Sequence, residues 1–290
     1  KLDPAQTATA LAIASSMSSG LVANFGSMTK CYQVGRAAQS GLIAARLASG
    51  GLTGSLDALE HDSGFLRAFS PTADHTFEKE LNRSKTWHLV RQGLNIKRYP
   101  VCYGSHRVID AVVKLLADHP LQAKDIARIT VCTARSQMLM MRNERPQTAL
   151  EAKFSMPFAV TAAVLRKNVG LQDLTDAFVS QPEVQAFFPK IHYQLTDETL
   201  NDSAFAAQDW VEIETIDGKK LISEKVVHAK GSHQNPVNPS ELETKFRDCT
   251  ANHLSQESQN SLLAKLAKLE DLASVADLLQ AIVMKKPAAQ

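Results

Sequence analysis

The sequence predicts a mainly α-helical protein that carries an inserted α/β domain. Residues 1–95 are patterned as helices, residues 96–239 mix helix and strand patterns, and residues 240–290 return to helices. Because helical segments flank one mixed segment, we interpret the two ends as parts of a single helical domain. Residues 96–239 are then a domain inserted between those two parts.

The first segment is predicted to contain two long helices. Asp3 is a suitable N-cap and Pro4 a suitable first helical residue for a helix that ends near Ser18. This helix is apolar on most sides, which is typical of a helix inside a helical assembly. The second helix is predicted to begin near Val34 and to end at Gly50.

The mixed segment alternates between helical and strand periodicity. Asp217-Gly218 between two alternating runs is a strong hairpin signal. The polar residues 70–91 that precede this segment are predicted to form a long surface connection. The predicted elements are helices over 106–117 and 154–166, and strands over 127–133, 211–216 and 221–228.

Composition excludes several functional classes. With 290 residues and 44% hydrophobic content the chain can bury a large core, and its net charge of +2 comes from interspersed acids and bases. The sequence contains no basic stripe that would indicate nucleic-acid binding, and no apolar run long enough to span a membrane. The four cysteines form no close pair, which favours a reducing compartment and a cytoplasmic location, or a mitochondrial one in a eukaryote.

Residues 25–41, FGSMTKCYQVGRAAQSG, form the first candidate stretch. A glycine turn delivers Thr29 and Lys30 to the start of a helix of small residues. N–H groups point outward at such a helix start, so a lysine and a hydroxyl there can meet an anion. The alternative is a tightly packed helix whose lysine is simply solvated.

Residues 97–110, KRYPVCYGSHRVID, form the second candidate stretch, at the proposed domain boundary. Clefts between domains are favoured sites for small molecules. Lys97 and Lys30 together could hold a di- or tricarboxylate. Bidentate contacts could come from the arginines Arg36, Arg98 and Arg107.

The same stretch carries two candidates for proton transfer. His106 at a helix start could act as an acid or a base, and Cys102 could transfer a proton or line the pocket. The alternatives are a capping or surface histidine and a small buried cysteine. The other histidines are scattered without metal-ligand spacing, and no phosphate-loop or dinucleotide fingerprint occurs, so no metal and no organic cofactor are predicted.

Four segments in order resemble the MmgE/PrpD family. Residues 25–51 (FGSMTKCYQVGRAAQSGLIAARLASGG) are similar to a family region that usually reads GTMTKxxHxGxAAxxGxxAAxLAxxG. Residues 97–115 resemble the family's second lysine-bearing stretch, and residues 152–165 and 231–246 look like further family segments. The resemblance extends over essentially the whole chain and begins inside the family's helical domain. It therefore implies that the family's early acidic, threonine and histidine active-site residues lie upstream of Lys1.

This resemblance implies a helical domain formed by both ends of the chain, an α/β lid inserted between them, and a homodimer. It also implies a lyase or isomerase that acts on a small di- or tricarboxylate without a metal, by proton transfer next to a carboxylate. The preferred activity is 2-methylcitrate dehydratase-like. The alternatives are epimerisation of a dicarboxylate such as iminodisuccinate, or a catalytically incomplete, non-catalytic relative.

By position, Lys30 and Lys97 match active-site lysines of the family's decarboxylase branch. Cys102 falls where that branch has a catalytic histidine, Gln33 where most members have histidine, and Met138 near an active-site tyrosine. These departures argue against cis-aconitate decarboxylase. The predicted catalytic residues are Lys30, Lys97, Cys102 and His106, and the predicted substrate-binding residues are Thr29, Gln33, Arg36, Arg98 and Tyr99.

Overall fold

The computed structural model describes residues 1–70, 87, 89–90, 93–199, 205–274 and 276–281. The chain divides into two compact units, Lys1–Arg91 and Gln92–Gln290. Most of the predicted surface connection over residues 70–91 lies outside the described residues. The predicted grouping of residues 240–290 with residues 1–95 in one helical domain stays a prediction.

The structure is mostly helical with one small mixed sheet, as the sequence predicts. The helices of the first unit are α1 (Pro4–Ser16), α2 (Met28–Ser49) and α3 (Phe65–Phe69). The helices described in the second unit are α4 (His106–Asp118), α5 (Arg135–Met138), α6 (Ala149–Ala152), α7 (Met156–Arg166), α8 (Asp176–Val179), α9 (Pro182–Phe187), α10 (Pro239–Thr250), α11 (Gln256–Leu266) and α12 (Ala276–Ala281). Its strands are β1 (Ile126–Ala134), β2 (Ile191–Thr196), β3 (Trp210–Thr215) and β4 (Lys220–Ile222).

Helix α1 begins as predicted. The Asp3 carboxylate accepts a hydrogen bond from the Gln6 backbone N–H at 2.8 Å, and the Gln6 side chain accepts one from the Asp3 N–H at 3.1 Å. Pro4 occupies the first turn, where backbone N–H groups have no carbonyl partner within the helix, so the missing N–H of proline costs no hydrogen bond. This reciprocal capping satisfies two N–H groups that would otherwise face solvent alone.

Helix α2 begins earlier than predicted, at Met28 rather than near Val34. Gly26, with a φ of 86°, turns the chain immediately before the N-cap Ser27. No helix-breaking residue follows, so the helix forms at once and takes Thr29 and Lys30 into its first turn. The run of small residues from Val34 onwards does not mark the beginning of the helix, and Gly35, Ala37, Ala38 and Gly41 in this run are exposed.

Small residues allow α1 and α2 to pack closely. Ala12 of α1 and Ala44 and Ala48 of α2 are buried, as the predicted close approach requires. Large apolar side chains of this unit remain exposed, including Leu11, Leu21, Val22, Met28, Tyr32, Val34, Leu42 and Phe69.

The sheet has the strand order β2-β1-β3-β4. Strand β1 pairs in parallel with β2 and antiparallel with β3, which places Ile129 between Ile191 and Ile213. Helices α4 and α7 pack together, and α4 also packs on β3, so the core of the second unit lies between these helices and the sheet. The helices predicted over residues 106–117 and 154–166 and the strand predicted over 127–133 are confirmed.

The predicted hairpin forms, but its second strand is shorter than predicted. Gly218 adopts a φ of 82° in the turn, a value that glycine tolerates without strain. Strand β4 ends at Ile222, so the strand predicted over residues 221–228 is wrong beyond that residue. The regular ladder is interrupted at Ser223, whose backbone N–H donates to the Val211 carbonyl at 3.0 Å while its hydroxyl accepts the Val211 N–H at 3.0 Å. Pairing resumes in a single bridge between Asp209 and Val226.

No helix in the part of the chain that the structure describes is both long and apolar enough to cross a membrane.

Candidate active site

Four of the predicted site residues, Thr29, Lys30, Gln33 and Arg36, lie on the first three turns of α2. Lys30 is half-buried and its ammonium lies 4.0 Å from the centre of the Phe25 ring. Residues three and four apart share one side of a helix, so Thr29, Gln33 and Arg36 lie along one face. This face presents a hydroxyl, an amide and a guanidinium close to the lysine.

The polar side chains on α2 are partly held by neighbours. The Gln33 amide donates to the Leu21 carbonyl at 3.1 Å, which fixes the segment before the helix. The Arg36 guanidinium donates to the Gln39 side chain at 3.2 Å. The helix therefore offers a polar, cationic end whose side chains are already oriented.

Lys97 belongs to the second unit and is anchored by its own turn. Its ammonium is exposed and donates to the Val101 carbonyl at 3.2 Å, which leaves other N–H donors of the ammonium able to meet a ligand. Cys102, which follows Val101 in the chain, is half-buried, and its backbone N–H donates to the Lys153 carbonyl at 2.8 Å. A lysine and a thiol are thus fixed on one short turn.

His106 lies behind this turn, with an exposed fraction of 0%. Its ring is held between Tyr99, at 5.2 Å between ring centres, and Tyr103, at 5.0 Å. Burial, together with the smaller effect of the nearby Lys97 ammonium, lowers the pKa of His106 to about 4. The carbonyls of Val101 and Tyr99 oppose this shift, although neither makes a well-aligned hydrogen bond to the ring. The imidazole is therefore neutral at pH 7, and its burial favours a positioning role over direct contact with a ligand.

Tyr99 is buried and its hydroxyl is already engaged. It donates to Asp110 Oδ1 at 2.8 Å, while Asp110 Oδ2 accepts the Lys230 backbone N–H at 2.7 Å. Burial raises the pKa of Tyr99, and the Asp110 carboxylate next to it raises it further. The phenol therefore braces the turn. Its predicted role as a substrate contact stays a prediction.

Arg98 connects the same turn to helix α10. Its guanidinium lies 3.5 Å from a Glu241 carboxylate oxygen, and the Lys230 ammonium lies 3.3 Å from the other oxygen. Glu241 also accepts the Asn238 N–H at 2.9 Å as part of the N-terminal cap of α10. One carboxylate thus ties the Lys97 turn to the start of α10.

Arg107 is not available to a ligand, which corrects the expectation that it adds a bidentate contact. It is buried and its Nε donates to Asp209 Oδ2 at 2.8 Å. Further hydrogen bonds reach the Ala206 and Val227 carbonyls and the Gln137 side chain at 2.9, 3.2 and 3.3 Å. The guanidinium is fully used inside the protein, where it stabilises the fold.

The sequence analysis missed the partners of these side chains. Asp110 braces Tyr99, while Gln137 and Asp209 surround Arg107. Asp110 follows Tyr99 by 11 positions and Asp209 follows Arg107 by 102. One available signal was the charge of Arg107 next to the apolar face of α4, because a buried charge requires a partner.

The structure therefore brings Lys97 and Cys102 together on one turn of the second unit, with His106 behind it at the start of α4. It places Thr29, Lys30, Gln33 and Arg36 on α2 of the first unit. That Lys30 and Lys97 face one ligand stays a prediction. Among the described residues, no three His, Cys, Asp or Glu side chains converge as metal ligands.

Comparison with known proteins gives the family. The family model of the MmgE/PrpD N-terminal domain matches residues 1–78, and that of the C-terminal domain matches residues 99–271. The chain is 26% identical to a cis-aconitate decarboxylase of Homo sapiens over 269 residues, which covers 91% of this chain and 54% of that protein. A cis-aconitate decarboxylase of Mus musculus is also 26% identical, over 97% of this chain and 57% of the relative. A cis-aconitate decarboxylase of Aspergillus terreus is 26% identical as well, over 96% of this chain and 60% of the relative.

The chain thus spans between about half and three-fifths of the length of the curated relatives that it matches. The matched regions include residues 25–41 with Lys30 and residues 99–110 of the second stretch, whereas Lys97 and Arg98 directly precede the second match. The chain belongs to the MmgE/PrpD family.

Proposed function

We propose that this chain is part of a lyase that acts on a small di- or tricarboxylate by proton transfer next to a carboxylate. The observation that carries the proposal is the exposed residue Lys97, whose ammonium is fixed to the Val101 carbonyl. Cys102 follows Val101 in the chain, and its partly buried side chain packs against the apolar core. Family membership and relatives named as decarboxylases support the same class of reaction.

The local charge distribution favours a carboxylate ligand at Lys97. Because burial keeps His106 neutral, the positive charge of this turn comes from Lys97 and Arg98, and Arg98 lies close to the Glu241 carboxylate. A carbanion next to a carboxylate spreads its charge onto the carboxylate oxygens, and a cation already fixed beside them stabilises that charge as it develops. In the proposal Lys30 holds a second carboxylate, Thr29, Gln33, Arg36 and Arg98 add polar contacts, and Cys102 is the candidate for proton transfer.

Two lyase reactions are the main candidates, and epimerisation of a dicarboxylate stays the alternative outside the lyases. In dehydration a proton leaves one carbon, a hydroxyl leaves its neighbour as water, and a double bond forms. In decarboxylation a carbon–carbon bond breaks, carbon dioxide leaves, and the remaining carbanion takes a proton. We place 2-methylcitrate dehydration first because Cys102 stands where the resemblance implies a histidine in the decarboxylase branch. Decarboxylation of cis-aconitate is the second candidate, because the relatives carry that name.

Product analysis distinguishes these reactions. The purified chain is incubated separately with 2-methylcitrate and cis-aconitate, and the products are followed by proton NMR in deuterium oxide. Loss of water from 2-methylcitrate supports dehydration, and release of carbon dioxide from cis-aconitate supports the second candidate. If the protein neither transforms these compounds nor exchanges their carbon-bound protons, the proposal is wrong and the chain is a non-catalytic relative.

We further propose that the protein forms a homodimer and needs no metal ion, since two lysines supply the positive charge. Dialysis against a chelator should leave turnover unchanged within about twofold, and a loss above about tenfold that Mg²⁺ or Zn²⁺ restores would contradict this. Light scattering coupled to size-exclusion chromatography measures the oligomeric state.

A further inference from the structure

The second unit contains a groove of about 930 Å³ that nothing above has assigned. Its walls carry cations from three different elements: Arg98 before α4, Lys167 after α7, and Lys245 on α10. We propose that this groove binds a small polycarboxylate as a second site, which does not include Lys97 and whose own cations are Lys167 and Lys245. Arg98 lines this groove and is also a residue of the catalytic proposal. The proposal does not depend on the catalytic function proposed above.

Acidic side chains also line the groove, but each has a partner in its wall. Asp173 accepts the Gly170 N–H at 2.8 Å and lies 3.3 Å from the Arg166 guanidinium. Asp248 accepts the Leu171 N–H at 3.3 Å. The negative charge is thus compensated by backbone N–H groups and by an ion pair, and it repels an incoming anion less than isolated carboxylates would.

Two further cations of the wall are already paired, Arg166 with Asp173 and Arg247 with Glu243. The other three are less fully used. Within the described residues, Lys245 makes neither a hydrogen bond nor an ion pair, and it is half-exposed. Arg98 lies 3.5 Å from Glu241, which is longer than a hydrogen bond, so its guanidinium can turn towards a ligand. Lys167 uses one N–H on the Leu121 carbonyl at 3.0 Å and keeps the rest of its ammonium for solvent or ligand.

The arrangement of these cations indicates the class of ligand. The three positive groups come from separate elements around one wide groove, so a compact ion with a single anionic centre contacts fewer of them at once. A molecule with two or three carboxylates on a short carbon skeleton places its charges apart and can meet several. The ligand class we assign is therefore a di- or tricarboxylate rather than a single phosphate.

Cys249 gives a local readout that is independent of turnover, because it lines the groove and is exposed. The whole chain is alkylated with iodoacetamide at increasing citrate, with sodium chloride added to match ionic strength, and the modified Cys249 peptide is quantified by mass spectrometry. The same titration uses Lys245→Ala, Lys245→Arg and, as a matched control outside the groove, Lys124→Ala. Inorganic phosphate serves as the second probe.

We expect citrate to slow the alkylation of Cys249 in the wild type, Lys245→Arg and Lys124→Ala. Lys245→Ala should need about fivefold more citrate, the effect of losing one water-exposed charge contact. Protection of Cys249 should need at least about tenfold more phosphate than citrate, because phosphate makes fewer contacts with the separate cations of the groove. The proposal is overturned if citrate gives no protection beyond sodium chloride, or if Lys245→Ala is protected like the wild type. Equal protection by phosphate would overturn the assignment to polycarboxylates. Loss of turnover in Lys97→Ala with Cys249 protection intact would separate this site from the catalytic one.

Discussion

Replacing Asp209 with alanine tests the ion pair in the core of the second unit. The side chains of Arg107 and Asp209 are only 8% and 0% exposed, and their charged atoms are 2.8 Å apart. Without the carboxylate, the guanidinium keeps its bonds to the Ala206 and Val227 carbonyls but is left as a buried charge without a counterion. Breaking a buried pair in this way costs about 3–5 kcal/mol. Asp209→Ala should therefore lower the free energy of unfolding by about that amount.

An exposed pair of the same chemistry provides the control. Arg135 and Asp197 are 3.0 Å apart, but their side chains are 62% and 82% exposed. Asp197→Ala should change the free energy of unfolding by less than about 1 kcal/mol, because water screens exposed pairs. Urea denaturation at pH 7, followed by circular dichroism, measures both variants. A loss below about 1 kcal/mol for Asp209→Ala, or equal losses for both variants, would refute the assignment of this pair as a buried stabilising charge pair.

Two further predictions concern the residues that brace the Lys97 turn. Burial lowers the pKa of His106 to about 4 in the native protein, whereas an unfolded histidine titrates near pH 6.5. Between these values the unfolded chain binds a proton that the native protein does not. Lowering the pH from 7 to 5 should therefore reduce the free energy of unfolding by about 2 kcal/mol through this residue. His106→Gln should remove that part of the pH dependence in urea titrations at the two pH values, and an unchanged slope would contradict the assignment. Tyr99→Phe removes the donor to a largely buried Asp110 oxygen and should cost about 1–3 kcal/mol, whereas Tyr193→Phe, which removes a more exposed bond of 2.9 Å to Glu144, should cost less than about 1 kcal/mol. Equal losses in the two tyrosine variants would show that burial does not set the cost.

Elements with strong local signals were predicted correctly. The apolar spacing of α4 places Ile109, Val112 and Leu116 on one buried face, and the cap at Asp3 fixes the start of α1. The Asp217-Gly218 turn is likewise set by two adjacent residues. In each case the determining interaction spans a few positions, so the pattern alone contains it.

Features that depend on distant or side-chain interactions were missed. The regular pairing of β4 is interrupted at Ser223, whose hydroxyl takes the Val211 N–H, and no periodicity reveals this side-chain contact. The mixed order β2-β1-β3-β4 cannot be obtained from alternation along single strands. Arg107 carried the signal of a cation next to an apolar face, but its partner lies 102 positions away.

For the candidate site, the sequence identified Lys97 and Cys102 as neighbours but not how the turn is held. The lysine is fixed by the Val101 carbonyl and the tyrosine behind it by Asp110. His106 illustrates the limit most clearly, because a helix start is an exposed position in many proteins, whereas here two tyrosine rings bury it. Its burial follows from tertiary packing, which residue type and spacing do not determine.

The central claim is that the Lys97 ammonium stabilises charge next to a substrate carboxylate. The most direct measurement is the rate at which the protein exchanges carbon-bound protons of 2-methylcitrate and cis-aconitate in deuterium oxide, compared among wild type, Lys97→Ala and the control Lys124→Ala. Loss of one preorganised donor of this kind lowers rates by about 10²–10³-fold, so Lys97→Ala should lose that much while Lys124→Ala keeps the wild-type rate. Exchange within about twofold of wild type in Lys97→Ala, or no exchange by the wild-type protein, would contradict the account.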